Sequence, residues 1–332
     1  MDGGELMGRA RPEPPLPRPM GPQDEPTPQT STRHAPVLPA LIEGMRPQHW
    51  LKNLLVVVPL ALSDTLIDLQ RLADVAVAFV ALCVVTGATY LINDIVDLPD
   101  DRRHWSKRRR PIASGRLSLT AALVAIPPLL LAGLTLAFSV SATTLGLVAL
   151  YVVCTLAYSF RLKRLAHIDV LVLAGLFTDR VAIGIAAAAT PPSSWLLVLA
   201  VLLFASLAYA KRYAELRRAE QHGLSILGGR GYQVTDAPIV LASGLASAMG
   251  AVLVFILYII EDVLNGHAYH NKLGLWLLPL LLYLLVSRIW LKAHRSEMGD
   301  DPVEFVTKDR ASLVMLALIA AGWALSWLGP VF

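Results

Sequence analysis

Asn93-Asp94-Ile95-Val96-Asp97-Leu98-Pro99-Asp100-Asp101-Arg102-Arg103-His104-Trp105-Ser106-Lys107-Arg108-Arg109-Arg110-Pro111 stands at the end of a long apolar run. The run before it, near 72–92, is long enough to cross about 30 Å of hydrocarbon. Aspartates and a basic cluster therefore meet water where a membrane helix ends. Comparable windows recur near 54–69, 117–138, 140–158, 168–189, 195–210, 238–260, 273–290 and 311–328. With 55% hydrophobic and 16% charged residues in a chain of 332, nine such windows leave almost no amphipathic helix to cover them in a soluble fold. The expected fold class is an all-α polytopic membrane protein, a bundle of nine transmembrane helices with a cytoplasm-facing cavity.

Lysine and arginine alternate between connections. Seven fall in 93–117, three in 159–168, five in 211–236 and five in 288–310, whereas the intervening connections carry Arg71 and Lys272. Basic residues are retained on the cytoplasmic side. That places the amino terminus, the four basic connections and the acidic-basic junction inside, and the carboxyl terminus outside. The pI near 9.1 then reflects short juxtamembrane loops suited to anionic membrane lipids or phosphate ligands, and no nucleic-acid module accompanies it. Cys83 and Cys154 both lie within apolar windows, which argues against a disulfide framework or a thiolate metal site.

Residues 1–36 contain nine prolines and almost no large apolar side chains. Such a segment cannot bury enough surface to offset its ordering entropy, so it reads as a disordered Pro-rich cytoplasmic tail ahead of a catalytic membrane domain at 37–332. The tail has no apolar stretch of the kind a cleaved signal peptide needs. Val37 to Gly44 reads as a short amphipathic entry helix, and Arg46 to Asn53 borders the first span. Trp50 suits an interfacial anchor, while Lys52 and Asn53 beside it suit a cavity that holds phosphate.

On a helix, Asp94, Asp97 and Asp101 lie at offsets of three and seven, within one narrow stripe. Three such carboxylates can converge on a hard cation, and Mg2+ is commonly held by one or two carboxylates plus ligand phosphates. The opposing reading is a structural network in which arginines neutralise the acids. Pro99 removes a backbone donor and clashes with the Ile95 carbonyl in a continuous helix, so Asp94 and Asp97 are the firmer ligands and Asp100 can stand in for Asp101. Among Lys107, Arg108, Arg109 and Arg110, at least one is expected on phosphate, the others on lipid headgroups.

A second constellation follows. Tyr158 and Lys163 offer a hydroxyl and an ammonium at the border of the fourth span, and Asp169 opens the fifth. Asp179 and Arg180 lie inside that span, where ionisable groups face a bundle interior or a water-filled cavity; mutual pairing and a ligand cavity both remain open. Lys211 ends the sixth span, and Arg230 and Tyr232 follow in a Gly-rich loop. Gly228 to Gly231 lacks the Gly-Lys-Ser/Thr and the preceding strand of a phosphate-binding loop. His267 and His270 read as surface residues of an external connection.

Asn93-Asp94-x-x-Asp97-x-x-x-Asp101 resembles the first signature of the UbiA-type intramembrane prenyltransferases. Arg46-Pro47-x-His49-Trp50-x-Lys52-Asn53, the continuation Asp101-Arg102-x-His104-x-x-Lys107-Arg108-x-Arg110-Pro111, and Tyr158-Ser159-x-x-Leu162-Lys163 are similar to the decaprenyl-phosphate phosphoribosyltransferases within that superfamily. The resemblance covers roughly 38–330. It implies a UbiA-like bundle in the plasma membrane, Mg2+ as cofactor, and transfer of 5-phosphoribose from 5-phosphoribosyl 1-diphosphate to decaprenyl (polyprenyl) phosphate, toward cell-wall arabinan precursors. It further implies Asp94, Asp97 and Asp101 as metal ligands, with Asp94, Asp97, Lys52 and Lys163 catalytic. Asn53, Asn93, Lys107, Arg108, Arg110, Tyr158, Lys211 and Arg230 would bind substrate, and a homotrimer is the family's pattern. Two departures stand out: the second region lacks the usual cluster of aspartates, which fits an acceptor already carrying phosphate, and Trp105 replaces a smaller residue. The competing readings are a Mg2+-dependent prenyltransferase acting on an aromatic acceptor, and a transporter or lipid-binding protein.

Overall fold

The computed structural model describes residues 37–63, 66–103, 107–227, 229–264, 273–299 and 301–328. The tail at 1–36, Trp105, Gly228, His267 and His270 lie outside them. Among the described residues twelve α-helices follow in order: α1 (Val37–Gly44), α2 (Val58–Ala61), α3 (Leu69–Val96), α4 (Leu98–Arg103), α5 (Leu119–Val140), α6 (Ala142–Phe160), α7 (Ile168–Ala187), α8 (Ser194–Gln221), α9 (Ala237–Tyr258), α10 (Leu277–His294), α11 (Pro302–Lys308) and α12 (Arg310–Leu328). The entry helix is α1, as its sequence predicts. Short polar side chains start the long helices by accepting the first free backbone N–H groups. Asp68 caps α3, Ser118 caps α5, Ser141 caps α6 and Ser193 caps α8.

Seven helical stretches among the described residues are long and apolar enough to cross a membrane, and the α11–α12 pair, bent by 86°, makes an eighth. The chain is a multi-pass membrane protein, but the ninth expected span is missing from this count. Its window, 54–69, holds the end of a 3-10 helix over Pro47–Val57 followed by the single turn of α2. Pro59 lies in the first turn of α2, where its missing N–H has no intrahelical partner to lose. The sixth window, by contrast, is longer than its apolar core suggested, because α8 carries a charged extension to Gln221.

Burial separates the spans by role. In α3, 61% of the apolar window is buried inside the protein, against 22% in α5 and in α6, so α3 is central while α5 and α6 turn most of their surface to lipid. One core gathers α3, α5, α6 and the chain from Val56 to Leu60; a larger one gathers α8, α9 and α10. Helix α7 belongs to both, giving Leu176 and Ile183 to the first and Val170, Ala174 and Val181 to the second. Its end therefore lies between the two halves, beside the end of α3.

Candidate functional site

The break after α3 creates the site. Asp97 caps the helix with φ −88° and ψ 3° and donates its backbone N–H to Asn93 O at 2.9 Å. Helix α4 then starts with Leu98-Pro99, where a proline is tolerated because first-turn N–H groups have no intrahelical partner. The Asp101 N–H still reaches Asp97 O at 2.8 Å across the break, and one arginine brings Asp94 and Asp101 together while Asp97 meets a different cation. Asp94 Oδ1 accepts from Arg46 and, at 3.1 Å, from Arg110. Arg110 also reaches Asp101 Oδ2 at 2.5 Å. Asp97 accepts from Lys163 Nζ at 2.6 Å and from Asn93 Nδ2 at 3.2 Å.

Among the described residues no three acidic, histidine or cysteine side chains gather as a ready metal cage. Asp94 nevertheless keeps Oδ2 buried without a hydrogen-bond partner, an expensive state for a carboxylate oxygen unless a cation or donor completes it. The residues thus fit a magnesium ion that arrives with phosphate oxygens better than one held by protein alone. Asp94 Oδ2 is the unmatched carboxylate oxygen at the end of α3.

Beside Asp94 opens a cavity of about 310 Å³ lined by Glu43, Arg46, Gln48, His49, Asp94, Arg109, Arg110 and Pro111. Arg46 adopts the left-handed backbone conformation, φ 54° and ψ 64°, which costs a non-glycine residue on the order of 1–3 kcal/mol. That conformation turns the chain from α1 into the 3-10 segment and lays the guanidinium 5.0 Å from the Tyr90 ring centre, against Asp94. Burial lowers the pKa of Arg46; Asp94 opposes the shift and Arg110 adds to it. Burial, then Lys52 and Arg46, push the His49 imidazole down to about 4. His49 is therefore neutral at physiological pH.

The 3-10 segment sets the other wall. With three residues per turn, residues three apart eclipse, so His49 and Lys52 share one face, and Asn53 and Val56 share another. Helix α7 grips the second face with residues four apart. Arg180 Nε donates to Asn53 Oδ1 at 3.0 Å, and at Gly184 an added Cβ would sit 2.2 Å from Val56 O. Asn53 is buried and also donates to Thr86 Oγ1 at 3.3 Å. It is a packing residue here and not the exposed phosphate ligand expected from its neighbour. Arg180 takes its remaining partners from Tyr151 at 2.9 Å and Leu176 O at 2.6 Å, without pairing with Asp179, whose Oδ2 stays buried and unpartnered. Lys52 forms an ion pair with Asp301, the N-cap of α11. Burial raises the Asp301 pKa, but Lys52 and the Val303 N–H outweigh it and leave the group below the ordinary carboxylate range.

The second constellation is more enclosed. Asp169 and Arg212 are both fully buried and bond at 2.6 Å. Tyr232 donates to Asp169 at 2.8 Å and accepts from the His167 N–H at 2.7 Å. Arg230 donates to the Tyr158 hydroxyl at 2.8 Å and reaches Lys163 O at 3.4 Å. At Gly231, a Cβ would stand 2.4 Å from Arg164 O, so the 229–233 loop lies directly on the turn that carries Lys163. Lys211 is half-buried on α8, within electrostatic reach of Glu215 and Asp301. Of the basic run, Arg110 turns inward, Arg109 lines the cavity, and Lys107 and Arg108 are exposed. Arg46, which heads its sequence motif, meets Asp94, and Arg212 and Asp301, to which the motifs assign no role, meet Asp169 and Lys52. The αL turn before Pro47 and the Asp301-Pro302 cap were the only local signals of these contacts.

The model of the UbiA prenyltransferase family matches residues 55–308. An uncharacterized protein of Sinorhizobium fredii is 38% identical over 285 residues, which are 86% of this chain and 55% of that protein, so the chain spans little more than half the length of this relative. The nodulation protein NoeC of Azorhizobium caulinodans is 32% identical over 84% of this chain and 91% of its own. The decaprenyl-phosphate phosphoribosyltransferase of Mycolicibacterium smegmatis is 40% identical over 192 residues, 56% of this chain and 60% of that enzyme. Among solved structures, a UbiA homolog from Archaeoglobus fulgidus bound to GPP and Mg2+ superimposes with a TM-score of 0.64 at 16% identity, over 86% of this chain and 99% of that one.

Proposed function

The chain belongs to the UbiA prenyltransferase family, and on that footing we propose that it transfers 5-phosphoribose from 5-phosphoribosyl 1-diphosphate to a polyprenyl phosphate, decaprenyl phosphate by its likeness to the mycobacterial enzyme. The observation that carries the proposal is the set of cations at the end of α3. Arg46 and Lys52 at the 3-10 segment, Arg110 and Lys163 come from three separate segments, and each is engaged by a carboxylate while keeping 12–23% of its side chain exposed. Such pairs can exchange a carboxylate for a phosphate oxygen with little reorganisation. Two phosphate-bearing substrates need that many positive charges; an aromatic acceptor does not.

The transfer breaks the C1–O bond to diphosphate and forms a C1–O bond to the lipid phosphate. Lys163 and Lys52 hold the acceptor oxygen near C1, and Arg46 and Arg110 draw the donor's anionic end toward Asp94. The acceptor needs no general base, since a phosphate monoester loses its second proton near pH 6. Direct attack inverts C1. Asp94, with Asp97 and Asp101, would hold Mg2+, whose charge stabilises departing diphosphate when bound. Arg230 and Tyr158 keep the Lys163 turn in place. The four basic connections face the cytoplasm, where the soluble donor is met, while the polyprenyl tail stays in the plasma membrane between helices.

Paired assays on the purified protein test the proposal. Phosphoribosyl diphosphate with polyprenyl phosphate should give polyprenylphosphoryl-5-phosphoribose and diphosphate, whereas prenyl diphosphate with aromatic acids should give nothing. Product in the second pair alone rejects phosphoribosyl transfer, and binding of lipid phosphate without diphosphate release in either pair favours a transport or lipid-binding role.

A further inference from the structure

We infer that the 310 Å³ cavity between α1, the start of the 3-10 segment and the turn after α4 recognises the phosphorylated pentose of the donor, apart from its diphosphate. The identity of the sugar rests on the phosphoribosyl-transfer reading; the chemistry of the ligand rests on the lining. Three arginines face this space, together with two carboxylates, one carboxamide and one neutral imidazole, and Pro111 is the apolar exception. A prenyl chain finds no apolar wall there. A bare phosphate would be repelled by Glu43 and Asp94, and Gln48 and His49 would gain nothing from it beyond single donor contacts. A phosphosugar uses the whole set: the exposed Arg109 guanidinium at the mouth meets its 5-phosphate, while carboxylate, carboxamide and imidazole accept from its hydroxyls. The volume lies at the lower end of small-molecule sites, as a compact ligand requires.

The walls are fixed in advance. Arg116 donates to both carboxylate oxygens of Glu43, at 2.6 and 2.7 Å, and to Arg109 O at 2.8 Å. One guanidinium thus straps α1 to the turn that carries Arg109. Glu43 and Gln48 are exposed at the mouth and Asp94 is buried at the base, so the ligand enters from water and its C1 end can approach α3. On the far side Asp97 is held by Lys163, where the acceptor phosphate is met. Donor sugar and acceptor headgroup are therefore read by different residues.

The test is calorimetric titration of the full chain in detergent with ribose 5-phosphate and with inorganic phosphate, alongside steady-state kinetics. Wild type should bind ribose 5-phosphate about tenfold tighter than inorganic phosphate, and Gln48→Ala and Arg109→Ala should each weaken ribose 5-phosphate about tenfold. The same variants should raise KM for phosphoribosyl diphosphate by a like factor and leave KM for polyprenyl phosphate unchanged. Turnover of phosphoribosyl diphosphate with no binding of ribose 5-phosphate, or with both variants indifferent, overturns the inference while phosphoribosyl transfer stands. Equal binding of inorganic phosphate also overturns it. Selective binding of ribose 5-phosphate without turnover upholds the cavity assignment and overturns the transfer.

Discussion

Two clusters of alternating charge stand at the same end of the bundle, and they differ in what surrounds them. At the end of α3 the aspartates are held by partly exposed cations beside an open cavity, and Asp94 keeps one oxygen unmatched. At the start of α7, Asp169 and Arg212 are sealed from solvent and enclosed by Tyr232 and Tyr158. The lesson is that an acid near a basic loop is reactive only where its partners can be exchanged. The first cluster can trade carboxylates for phosphates; the second is a scaffold that holds the Lys163 turn.

The largest expected effect falls on the scaffold. Asp169→Ala leaves Arg212 buried without its deepest partner, a loss of about 3–5 kcal/mol, and should remove the folded peak in size-exclusion chromatography. Survival of a folded, active variant would erase the contrast between the clusters. Next comes Gly184→Leu, whose side chain collides with Val56 O and displaces the 3-10 segment; turnover should fall on the order of 100-fold, while intrinsic fluorescence shows retained packing of α8 to α10. Arg110→Met removes contacts to both Asp94 and Asp101. Its turnover should drop on the order of 100-fold; the unfolding temperature should fall as well, because buried Asp101 loses its cation, but the folded peak in size-exclusion chromatography should remain, unlike Asp169→Ala.

Smaller effects sharpen the same comparison. Tyr158→Phe deletes the acceptor for Arg230 and should cost about 1 kcal/mol of thermal stability. Burial pushes the His49 imidazole down to about 4 in the folded protein, from an ordinary value of 6.5. Its neutral form is favoured in the native state, so its contribution is complete above pH 6.5 and is lost as pH falls toward 4. The unfolding temperature of the wild type should decline over that window, and His49→Gln should flatten the decline. An unaltered slope would show that His49 titrates freely.

Hydrophobic windows and the alternation of basic loops made the membrane-spanning bundle legible from sequence, since both follow directly from the bilayer as solvent. The segment at 54–69 was not, because apolar content is blind to helix type. Lys52 and Asn53 sit on the 3-10 helix Pro47–Val57, against which α7 packs closely at Gly184. Asp94 and Lys163 stood out as candidate residues from their chemistry at a membrane border, and the structure places both at the end of α3. Their pairings did not stand out, because Arg46 lies 48 residues from Asp94 and Lys163 lies 66 from Asp97. Asn53 shows the converse error: adjacency to Lys52 implied a shared role, whereas one step around the helix puts it in the core.

The most direct test is mass-resolved product formation from phosphoribosyl diphosphate and polyprenyl phosphate, with and without Mg2+, in wild type and Asp94→Asn. Phosphoribosylated lipid should form only with wild type and Mg2+, while the variant elutes as the same folded species. Equal product from Asp94→Asn, with the same dependence on the ion, would contradict the placement of the reactive centre at the end of α3.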